Sequence, residues 1–456
     1  MTARILMLQG PASWFPTHLG RALTARGAEV TRICLCPGDR LFWRGGARVL
    51  DYRGRPEHWA DWLAARVAVW GITDLICLGD GRHWHRAAID RLGPRGVRIH
   101  VIEQGYLRPH FLTVERDGTG GNTRFPKDWR QIEDLARREA VPVANYRSSF
   151  ARFATMDVAY NLANLFAGWL THPHYRTHAL DGPLIEWAGW VGKAAIWPLR
   201  RTRSRRAQQR IAAHRGALFL MALQLETDYQ IRLHAPEGGV QAALARTMRS
   251  FATHAPERAM LVIKPHPLDN GWAGWRAQVR ELARILGLCD RVVFLEGGAL
   301  EPLFRTLSGL VTINSTTGLS ALRAGCPVKS LGKAIYDLPG LTHRGSLDSF
   351  WRAPIAPEAD RVEMLVRALT AANQVPGGFD GTGVQPGAEA MAARILAPCP
   401  LRAVEHRLQT GDRVDGGGLG PGHLASQNLG HHVEQPGVTA RGPGLEAANR
   451  GGLRNL

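Results

Sequence analysis

Six short polar stretches in the chain each follow an apolar run of the kind that forms a β-strand. Their side chains include carboxylates, cations, amides and hydroxyls, which are the groups that bind substrates and move protons. In open α/β sheets, ligands bind at the carboxyl ends of the strands, so these stretches are candidate parts of one site. They are Gln9-Gly10-Pro11, Gly79-Asp80-Gly81, Glu103-Gln104-Gly105-Tyr106, Glu226-Thr227-Asp228, Lys264-Pro265-His266-Pro267 and Asn314-Ser315-Thr316-Thr317-Gly318.

Two acids in these stretches are candidates for catalysis. Glu103 follows the apolar run 97–102, a position from which a carboxyl group could act as a general acid. Asp228 follows the run that ends near Leu223 and could act as a nucleophile or as a base. The residues also allow structural roles, since Glu103 could pair with Arg108 and Asp228 could cap a helix.

Two further stretches have the composition of an anion site. In Lys264-Pro265-His266-Pro267, the prolines fix the backbone while Lys264 and His266 offer charge and a hydrogen-bond donor to a phosphate. Asn314-Ser315-Thr316-Thr317 opens a predicted helix, where hydroxyls and free backbone N–H groups can bind an anion. The first could instead be a rigid turn with a surface lysine, and the second a helix cap, although a cap accounts for only one hydroxyl. Acids, a basic motif and a hydroxyl-rich helix start are together typical of an enzyme that transfers sugars.

The elements that must hold these stretches alternate between strand and helix patterns in both halves of the chain, which predicts parallel sheets. We therefore predict two Rossmann-like α/β domains that face each other across a cleft, at residues 1–210 and 211–400. The first includes a mostly helical stretch from 129 to about 171. Residues 401–456, rich in Gly and without periodicity, are predicted to be a disordered tail. The predicted strands are 4–8, 29–35, 75–78, 97–102, 217–223, 260–263, 292–295, 310–313 and 328–331.

Several common cofactor and catalytic motifs do not occur in the sequence. It has no P-loop, no H-E-x-x-H, no paired C-x-x-C and no G-x-S-x-G. It also lacks D-x-D, the metal-binding pattern of many nucleotide-sugar enzymes, and the turn at Gly10-Pro11 does not match the G-x-G-x-x-G of dinucleotide sites. We therefore expect neither a bound metal nor a cofactor.

The formal net charge of +18 over 456 residues favours an anionic partner, such as a phosphorylated substrate, an anionic membrane or a nucleic acid. A genome that uses Arg where others use Lys would explain part of the excess. The segment Leu184 to Arg206 contains three Trp residues and then five Arg within seven residues, which predicts peripheral attachment to a membrane. The alternative is that the Trp residues are buried between the domains and the Arg run is a solvated linker.

No apolar run reaches the ~20 residues that are needed to cross a bilayer. The N-terminus has the pattern of a strand and not of a signal peptide. We therefore expect a cytoplasmic protein.

Taken in order, the motifs resemble those of the bacterial capsule polysaccharide biosynthesis and export family, in particular its single-module transferases of Kdo (3-deoxy-D-manno-oct-2-ulosonic acid). The similarity covers about residues 5–345. The matching segments are Leu8-Gln9-Gly10-Pro11, Gly38-Asp39-Arg40-Leu41-Phe42-Trp43, Glu103-Gln104-Gly105-Tyr106-Leu107-Arg108-Pro109, Gly121-Asn122, Leu223-Gln224, Asp228-Tyr229-Gln230-Ile231-Arg232, Lys264-Pro265-His266-Pro267, Asn314-Ser315-Thr316-Thr317-Gly318-Leu319-Ser320-Ala321-Leu322, Leu331-Gly332 and Tyr336-Asp337-Leu338-Pro339-Gly340-Leu341-Thr342.

The resemblance implies a GT-B-type fold and a retaining glycosyltransferase that uses CMP-β-Kdo as donor and no cofactor. The implied acceptor is lyso-phosphatidylglycerol or a Kdo chain already on it. Asp228 would be the nucleophile and Glu103 the acid/base, and the motifs at 264–267 and 314–318 would hold the CMP part of the donor. The implied substrate-binding residues are Gln9, Gly10, Arg108, Gln230, Arg232, Lys264, His266, Asn314, Ser315, Thr316 and Thr317.

The partners expected from this resemblance are a nucleotide sugar, an anionic lipid acceptor, the inner face of the cytoplasmic membrane, and other capsule synthesis and ABC-export proteins. A second interpretation is a non-catalytic export or scaffold protein that binds the lipid-linked glycan. Acids at both Glu103 and Asp228 favour the enzyme over the scaffold. A third class, a nucleic-acid-binding protein, is disfavoured because the Arg cluster is a single patch without the signature of a nucleic-acid-binding motif.

Overall fold

The computed structural model describes residues 2–138, 144–177, 179, 182–226, 231 and 238–401. These residues form two β-sheets with helices packed against them. The predicted fold class, with two Rossmann-like α/β halves, is confirmed by this arrangement. Apart from Leu401, the predicted tail at 401–456 lies outside the described residues.

The first sheet has seven strands among the described residues. They are β1 (Arg4–Met7), β2 (Glu29–Cys34), β3 (Arg48–Asp51), β4 (Asp74–Leu78), β5 (Arg98–Gln104), β6 (Phe111–Arg116) and β12 (Gln374–Pro376). Strands β3, β2, β1, β4 and β5 run parallel in that order, and β6 and then β12 extend the sheet in antiparallel fashion. The four strands predicted in this half are confirmed to within a residue or two at each end, whereas β3 and β6 were not predicted.

Among the residues that the structure describes, eight α-helices lie between the strands of the first half and along the connection to the second. They are α1 (Phe15–Ala25), α2 (Pro37–Leu41), α3 (Pro56–Trp70), α4 (His83–Leu92), α5 (Trp129–Ala136), α6 (Phe150–Thr171), α7 (Pro183–Ala195) and α8 (Trp197–Ala213). Several of them have Pro in the first turn, where its missing N–H costs no hydrogen bond. The helical stretch predicted from 129 to 171 is found as α5 and α6.

The second sheet is parallel throughout, in the order β11-β10-β7-β8-β9. Its strands are β7 (Leu218–Ala222), β8 (Met260–Lys264), β9 (Val292–Phe294), β10 (Gly309–Thr312) and β11 (Val328–Ser330). All five strands predicted in this half are therefore confirmed. The α-helices described in this half are α9 (Gly239–His254), α10 (Trp275–Ile285), α11 (Glu301–Phe304), α12 (Thr316–Arg323), α13 (Leu347–Phe350) and α14 (Ala359–Ala372).

After the second sheet, the chain returns to the first. Strand β12 pairs with β6, and α15 (Val384–Leu396) packs against α1. Met391 and Ile395 of α15 share a buried apolar cluster with Leu19 of α1 and Ile5 of β1. The predicted division at residue 210 did not anticipate this return, because a three-residue strand and one helix carry no signal of which sheet they join.

Among the described residues, no helix is both long and apolar enough to cross a bilayer.

Candidate active site

A cavity lies between the carboxyl ends of the strands of the two sheets and contains about 800 Å³ of empty space, part of it open to solvent. We call the residues that the first half contributes the first wall, and those that the second half contributes the second wall. The first wall consists of Glu103, Gln104, Tyr106, Arg108 and Gly120. The second wall consists of Gln224, Leu225, His266, Asn314, Ser315, Thr316, Leu319, Lys333, Ala334, Ile335 and Tyr336.

Glu103 reaches the cavity from the end of β5, where it is half-buried. The neighbouring turn leaves little room beside it, since a Cβ built at Gly79 would lie 3.2 Å from Glu103 Oε1. Gly79 also has a φ of +69°, a conformation that favours glycine. The stretch Gly79-Asp80-Gly81 therefore helps to define where the Glu103 carboxylate lies.

A second glutamate, Glu115 of β6, lies fully buried behind the first wall. Its Oε1 accepts a hydrogen bond of 2.8 Å from Asn373 Nδ2, and its other oxygen accepts one from Thr123 Oγ1. Burial raises the pKa of Glu115 to about 8, and the charge of Glu103 acts in the same direction. Glu115 therefore keeps its proton at neutral pH.

Tyr106 connects this buried glutamate to the cavity. It lines the first wall, hydrogen bonds with Glu115, and accepts a hydrogen bond of 2.7 Å from the backbone N–H of Gly120 on its hydroxyl. Its own backbone N–H donates to Gln374 Oε1 at 2.8 Å. Burial, together with Glu115, raises the pKa of Tyr106 well above its ordinary value, so the phenol stays neutral. The returning strand β12, which carries Gln374, thus helps to build the first wall.

Asp80, in the loop that follows β4, also supports the first wall. It is buried, and its Oδ2 accepts a hydrogen bond of 2.7 Å from Asn122 Nδ2. The motifs Gly79-Asp80-Gly81 and Gly121-Asn122, which lie far apart in the sequence, therefore meet in the structure. Their contact holds the loop that presents Gly120 to the cavity.

His266 lines the second wall just beyond the end of β8. Burial lowers its pKa to about 4, and the positive charges of Arg108 and Lys193 add to this effect, so the imidazole is neutral at physiological pH. Its Nδ1 accepts a hydrogen bond of 3.1 Å from the backbone N–H of Leu268. The ring proton must therefore be on Nε2, which makes His266 a neutral hydrogen-bond donor.

The start of α12 also faces the cavity. Ser315 caps this helix by accepting a hydrogen bond of 3.1 Å from the backbone N–H of Thr317, so Thr317 supports the cap. Tyr336 donates from its hydroxyl to the carbonyl oxygen of Ser315 at 2.6 Å and fixes the turn from behind. Thr316 lines the cavity beside Ser315. The helix dipole and its unpaired backbone N–H groups favour an anion at this position.

Gln224, at the end of β7, holds Asn314 in place. Gln224 Nε2 donates to Asn314 Oδ1 at 2.9 Å, and the backbone N–H of Asn314 donates to Gln224 Oε1 at 3.1 Å. The next residue, Leu225, also lines the cavity. The two exposed cations of the lining, Arg108 and Lys333, come from opposite walls. Together with the start of α12, they make the cavity suited to a phosphorylated, anionic ligand.

Of the predicted site residues, the structure brings Glu103, Arg108, His266, Asn314, Ser315 and Thr316 together around the cavity. Lys264 lies behind the lining, where its buried Nζ donates to the carbonyl oxygen of Gly297 at 3.3 Å and burial lowers its pKa. Asp228, Gln230 and Arg232 lie outside the described residues.

Gln9 and Gly10 do not line this cavity but border a small separate void. Gln9 is buried, and its Nε2 donates to the hydroxyls of Tyr160 at 2.7 Å and Tyr175 at 3.0 Å. Its Oε1 accepts from Arg82 Nη1 at 3.2 Å. In this structure, Gln9 therefore connects α6 to the sheet.

Several lining residues were not predicted as site residues, among them Gln224, Lys333 and Tyr336. Gln224 and Tyr336 lie in segments that contributed to the family resemblance, so the signal was present. Lys333 lies just beyond the end of β11, whereas Lys264 is the last residue of β8. Glu115 could have been suspected from its place in Phe-Leu-Thr-Val-Glu-Arg, where it shares a face with Thr113 and Phe111.

Within the described ranges, no group of three or more His, Cys, Asp or Glu side chains is arranged to hold a metal ion.

A family model and two curated relatives all match this chain to capsule polysaccharide proteins. The family model described as capsule polysaccharide biosynthesis protein matches residues 73–379. The capsule polysaccharide export protein KpsS of Escherichia coli is 32% identical over 364 residues, which is 78% of this chain and 91% of KpsS. The capsule polysaccharide modification protein LipB of Neisseria meningitidis serogroup A is 30% identical over 365 residues, 78% of this chain and 86% of LipB.

Among solved structures, the β-Kdo 2,7 transferase KpsC of Thermosulfurimonas dismutans aligns with 86% of this chain and 99% of its own, at 14% identity and a TM-score of 0.39.

Proposed function

The chain belongs to the capsule polysaccharide biosynthesis family, and we propose that it is a retaining glycosyltransferase that moves β-Kdo from CMP-β-Kdo. The proposed acceptor is lyso-phosphatidylglycerol, or the same lipid already carrying Kdo, so that the reaction starts the lipid anchor of the capsule. The observation that supports this most is the pairing of a carboxylate on the first wall with an anion-binding second wall across one cavity. A transferase of an acidic, phosphate-activated sugar needs both.

The second wall has the groups to hold the CMP part of the donor. Backbone N–H groups at the start of α12, with Ser315 and Thr316, suit the phosphate. Lys333 adds a positive charge, and the Nε2–H of His266 is a neutral donor for a phosphate or ribose oxygen. Arg108, from the first wall, is suited to the carboxylate of Kdo, since a guanidinium binds carboxylates through two hydrogen bonds.

Retention of configuration requires two displacements at the anomeric carbon. In the first, the carboxylate of Asp228 forms a bond to that carbon while the bond to CMP breaks, and CMP leaves with the electron pair. In the second, Glu103 takes the proton from the acceptor hydroxyl, whose oxygen bonds to the anomeric carbon as the ester to Asp228 breaks. Because CMP leaves as a stable anion, Glu103 matters most as the base of the second step.

Glu115 contributes by holding its proton. An ionised Glu115 would place a further negative charge behind Glu103 and Tyr106, and this charge would repel an acidic sugar and an anionic lipid as they enter the cavity. A neutral Glu115 avoids this repulsion and keeps Tyr106 in place through their hydrogen bond. Its proposed role is therefore one of positioning.

The assay that tests the proposal uses the full chain with CMP-Kdo generated in place and a fluorescent lyso-phosphatidylglycerol analogue. We expect a Kdo-bearing product, and its loss in Glu103→Gln. Glu363→Gln, which changes an exposed carboxylate on α14, is the matched control and should retain transfer.

A non-catalytic role in export is the second candidate, because the E. coli relative carries the name of an export protein. In that case the wild-type chain would bind Kdo-primed lipid and make no product. Binding that is equal in wild type and Glu103→Gln, without turnover in either, would replace the transferase proposal with this one.

We further propose that the protein works at the cytoplasmic face of the membrane, beside other capsule synthesis and ABC-export proteins. Helix α7 is joined to the loop that follows His266, because Trp272 Nε1 donates to the carbonyl oxygen of Ile185 at 2.8 Å. Leu184 and Val191 of this helix are exposed. Flotation with phosphatidylglycerol vesicles at low salt, and its loss at high salt, tests the attachment.

The structure describes how exposed the Trp and Arg residues of the segment Leu184 to Arg206 are. Trp197 is exposed, whereas Trp190 is half-buried beside Phe150, with ring centroids 5.8 Å apart. Arg200 lies 3.6 Å from Glu296 in an ion pair. The exposed arginines that remain for an anionic surface are Arg201, Arg205 and Arg206.

A further inference from the structure

Helix α6 exposes apolar residues that the sequence analysis did not single out. From Val158 to Thr171 the helix contains no charged residue, and yet Tyr160 is its one buried residue. The side chains of Phe166, Trp169 and Leu170 are 72%, 71% and 69% exposed. Contiguous exposed apolar surface on a soluble domain usually marks an interaction site.

These side chains lie along one face of α6, which we call the outer stripe. Residues at spacings of three and four share a face of a helix, and the stripe follows this spacing over more than three turns. Its members are Val158, Leu162, Leu165, Phe166, Trp169 and Leu170, all exposed except the half-buried Leu162.

The opposite face of α6 is fixed by polar contacts to α2 and to the segment that follows β1. The hydroxyl of Tyr160 accepts a hydrogen bond of 2.7 Å from Gln9 Nε2 and donates to Asp39 Oδ1 at 3.1 Å. Asn164 Oδ1 accepts one of 2.8 Å from the backbone N–H of Gly38. Turning the stripe inward would leave these buried polar groups without partners, which is costly. The helix is therefore held with its apolar face outward.

The fixed face also places α6 beside the candidate active site. Gln9 follows β1, which pairs with β4, and β4 pairs with β5 up to Ile102. Glu103 comes next on β5. Because these strands are parallel, Gln9 and Glu103 lie at the same edge of the sheet. A surface that docks on the outer stripe would therefore lie at the edge from which the acceptor must reach Glu103.

We infer that the outer stripe of α6 inserts into the interface of an anionic lipid bilayer and brings this edge of the first sheet to the lipid acceptor. The inference rests on the proposed function for the acceptor. Binding to an interface scales with the apolar area that is buried in it, and the outer stripe presents exposed apolar side chains on a helix that is held in place. Its Trp169 suits the interfacial region, where indole rings concentrate.

Charge decides between a membrane and a second copy of the chain. The formal net charge of +18 makes two copies repel and attracts a surface of anionic lipid. Exposed arginines on α8, among them Arg201 and Arg205, follow in the same connecting region. They add attraction to anionic head groups, which a self-association would not use.

The test is flotation of the full chain with vesicles of phosphatidylglycerol and phosphatidylcholine, compared with phosphatidylcholine alone. The variant Phe166→Gln, Trp169→Gln, Leu170→Gln should lose about tenfold or more of the bound fraction. The matched control is Val69→Gln, Ile285→Gln, Ile355→Gln, which changes three other exposed apolar residues elsewhere and should float like wild type.

A second measurement does not depend on a multiple variant. An environment-sensitive dye at Phe166→Cys, in a chain with Cys289→Ser and Cys399→Ser, should shift to the blue with anionic vesicles. Equal flotation of the stripe variant and wild type, equal binding to phosphatidylcholine alone, or a dye that does not respond would each overturn the inference. So would a wild-type dimer that the stripe variant converts to a monomer.

An assay of Kdo transfer to a short-chain, water-soluble acceptor distinguishes a failure of this inference from a failure of the proposed function. If both hold, the stripe variant loses vesicle binding and keeps transfer to the soluble acceptor. A wild-type protein that binds vesicles through the stripe and makes no Kdo product would contradict the proposed function and leave the docking surface standing.

Discussion

The anion site of the second wall is built within one continuous segment, whereas the lining of the first wall is held in place by residues that lie far apart in the sequence. The start of α12 supplies Asn314, Ser315 and Thr316 from three successive residues. The first wall depends on contacts among β5, β6, the loop at 118–123 and the returning strand β12. Local backbone geometry is enough to bind an anion, but a carboxylate that handles protons needs an environment built from several directions.

We therefore assign proton transfer to the first wall and donor binding to the second. Substitutions on the two walls should then change different kinetic quantities. Changes on the first wall should lower the rate of transfer and spare the affinity for CMP. Changes on the second wall should weaken CMP binding and spare the rate at saturating donor.

The largest effect is expected for Glu103→Gln. Loss of the base for the acceptor hydroxyl should lower kcat by about 10²–10⁴-fold, while calorimetry should give an unchanged Kd for CMP. Glu363→Gln is the control. A parallel loss of CMP affinity in Glu103→Gln would mean that this residue belongs to donor binding and that the two walls do not divide the tasks.

On the second wall, Lys333→Ala should have the largest effect. A charge-assisted hydrogen bond contributes about 1.5–3 kcal/mol, so the Kd for CMP should rise by roughly 10- to 100-fold. The rate at saturating donor should change little. Lys127→Ala, an exposed lysine away from the cavity, serves as the control; an equal effect of both variants would argue for a general charge effect and against a contact.

The buried environment of Glu115 can be tested through the pH dependence of the free energy of unfolding. Its pKa of about 8 in the folded protein is raised by burial, so the folded state binds a proton that the unfolded state releases at lower pH. Stability from this group is present at low pH and is lost as the pH rises through about 8. Between about pH 6 and pH 8, wild type should lose on the order of 2 kcal/mol of unfolding free energy relative to the neutral Glu115→Gln. Urea titrations that give parallel pH profiles would show that Glu115 is already ionised at neutral pH.

The smallest effect is expected for His266→Ala. A neutral hydrogen bond contributes about 1 kcal/mol, so CMP affinity should fall by roughly fivefold. Because burial lowers the pKa of His266 to about 4, this loss should be the same from about pH 6 to pH 8. A loss that grows as the pH falls across this range would mean that the imidazole binds as a cation.

The same comparison explains what the sequence could predict. Most strands of the two sheets follow from their apolar runs. On the second wall, His266 and residues 314–316 follow from motifs that need only the end of one strand or the start of one helix, whereas Gln224, Lys333 and Tyr336 were not predicted as site residues. Glu103 was found because it ends a strand. Glu115 and Gln374 were not, because their roles depend on an antiparallel extension of the sheet by strands whose partners the sequence does not reveal.

Gln9 illustrates a second limit. Its position after β1 is that of a site residue, and the fold confirms the position, yet its amide is used to hold Tyr160 of α6. The sequence predicts where a strand ends but not which helix will cover that end. The exposed face of α6 was not predicted for the same reason. An apolar helical sequence predicts a buried helix, and only the neighbouring elements show which of its faces stays exposed.

The most direct test of the central claim is the intact mass of Glu103→Gln after incubation with CMP-β-Kdo and no acceptor. If the cavity carries out double displacement, with the base of the second step removed, the protein should gain one Kdo. Peptide mapping should then place the adduct on Asp228, and Asp228→Ala, Glu103→Gln should gain none. A Glu103→Gln protein that turns over donor and acceptor like wild type and never carries Kdo would contradict the account.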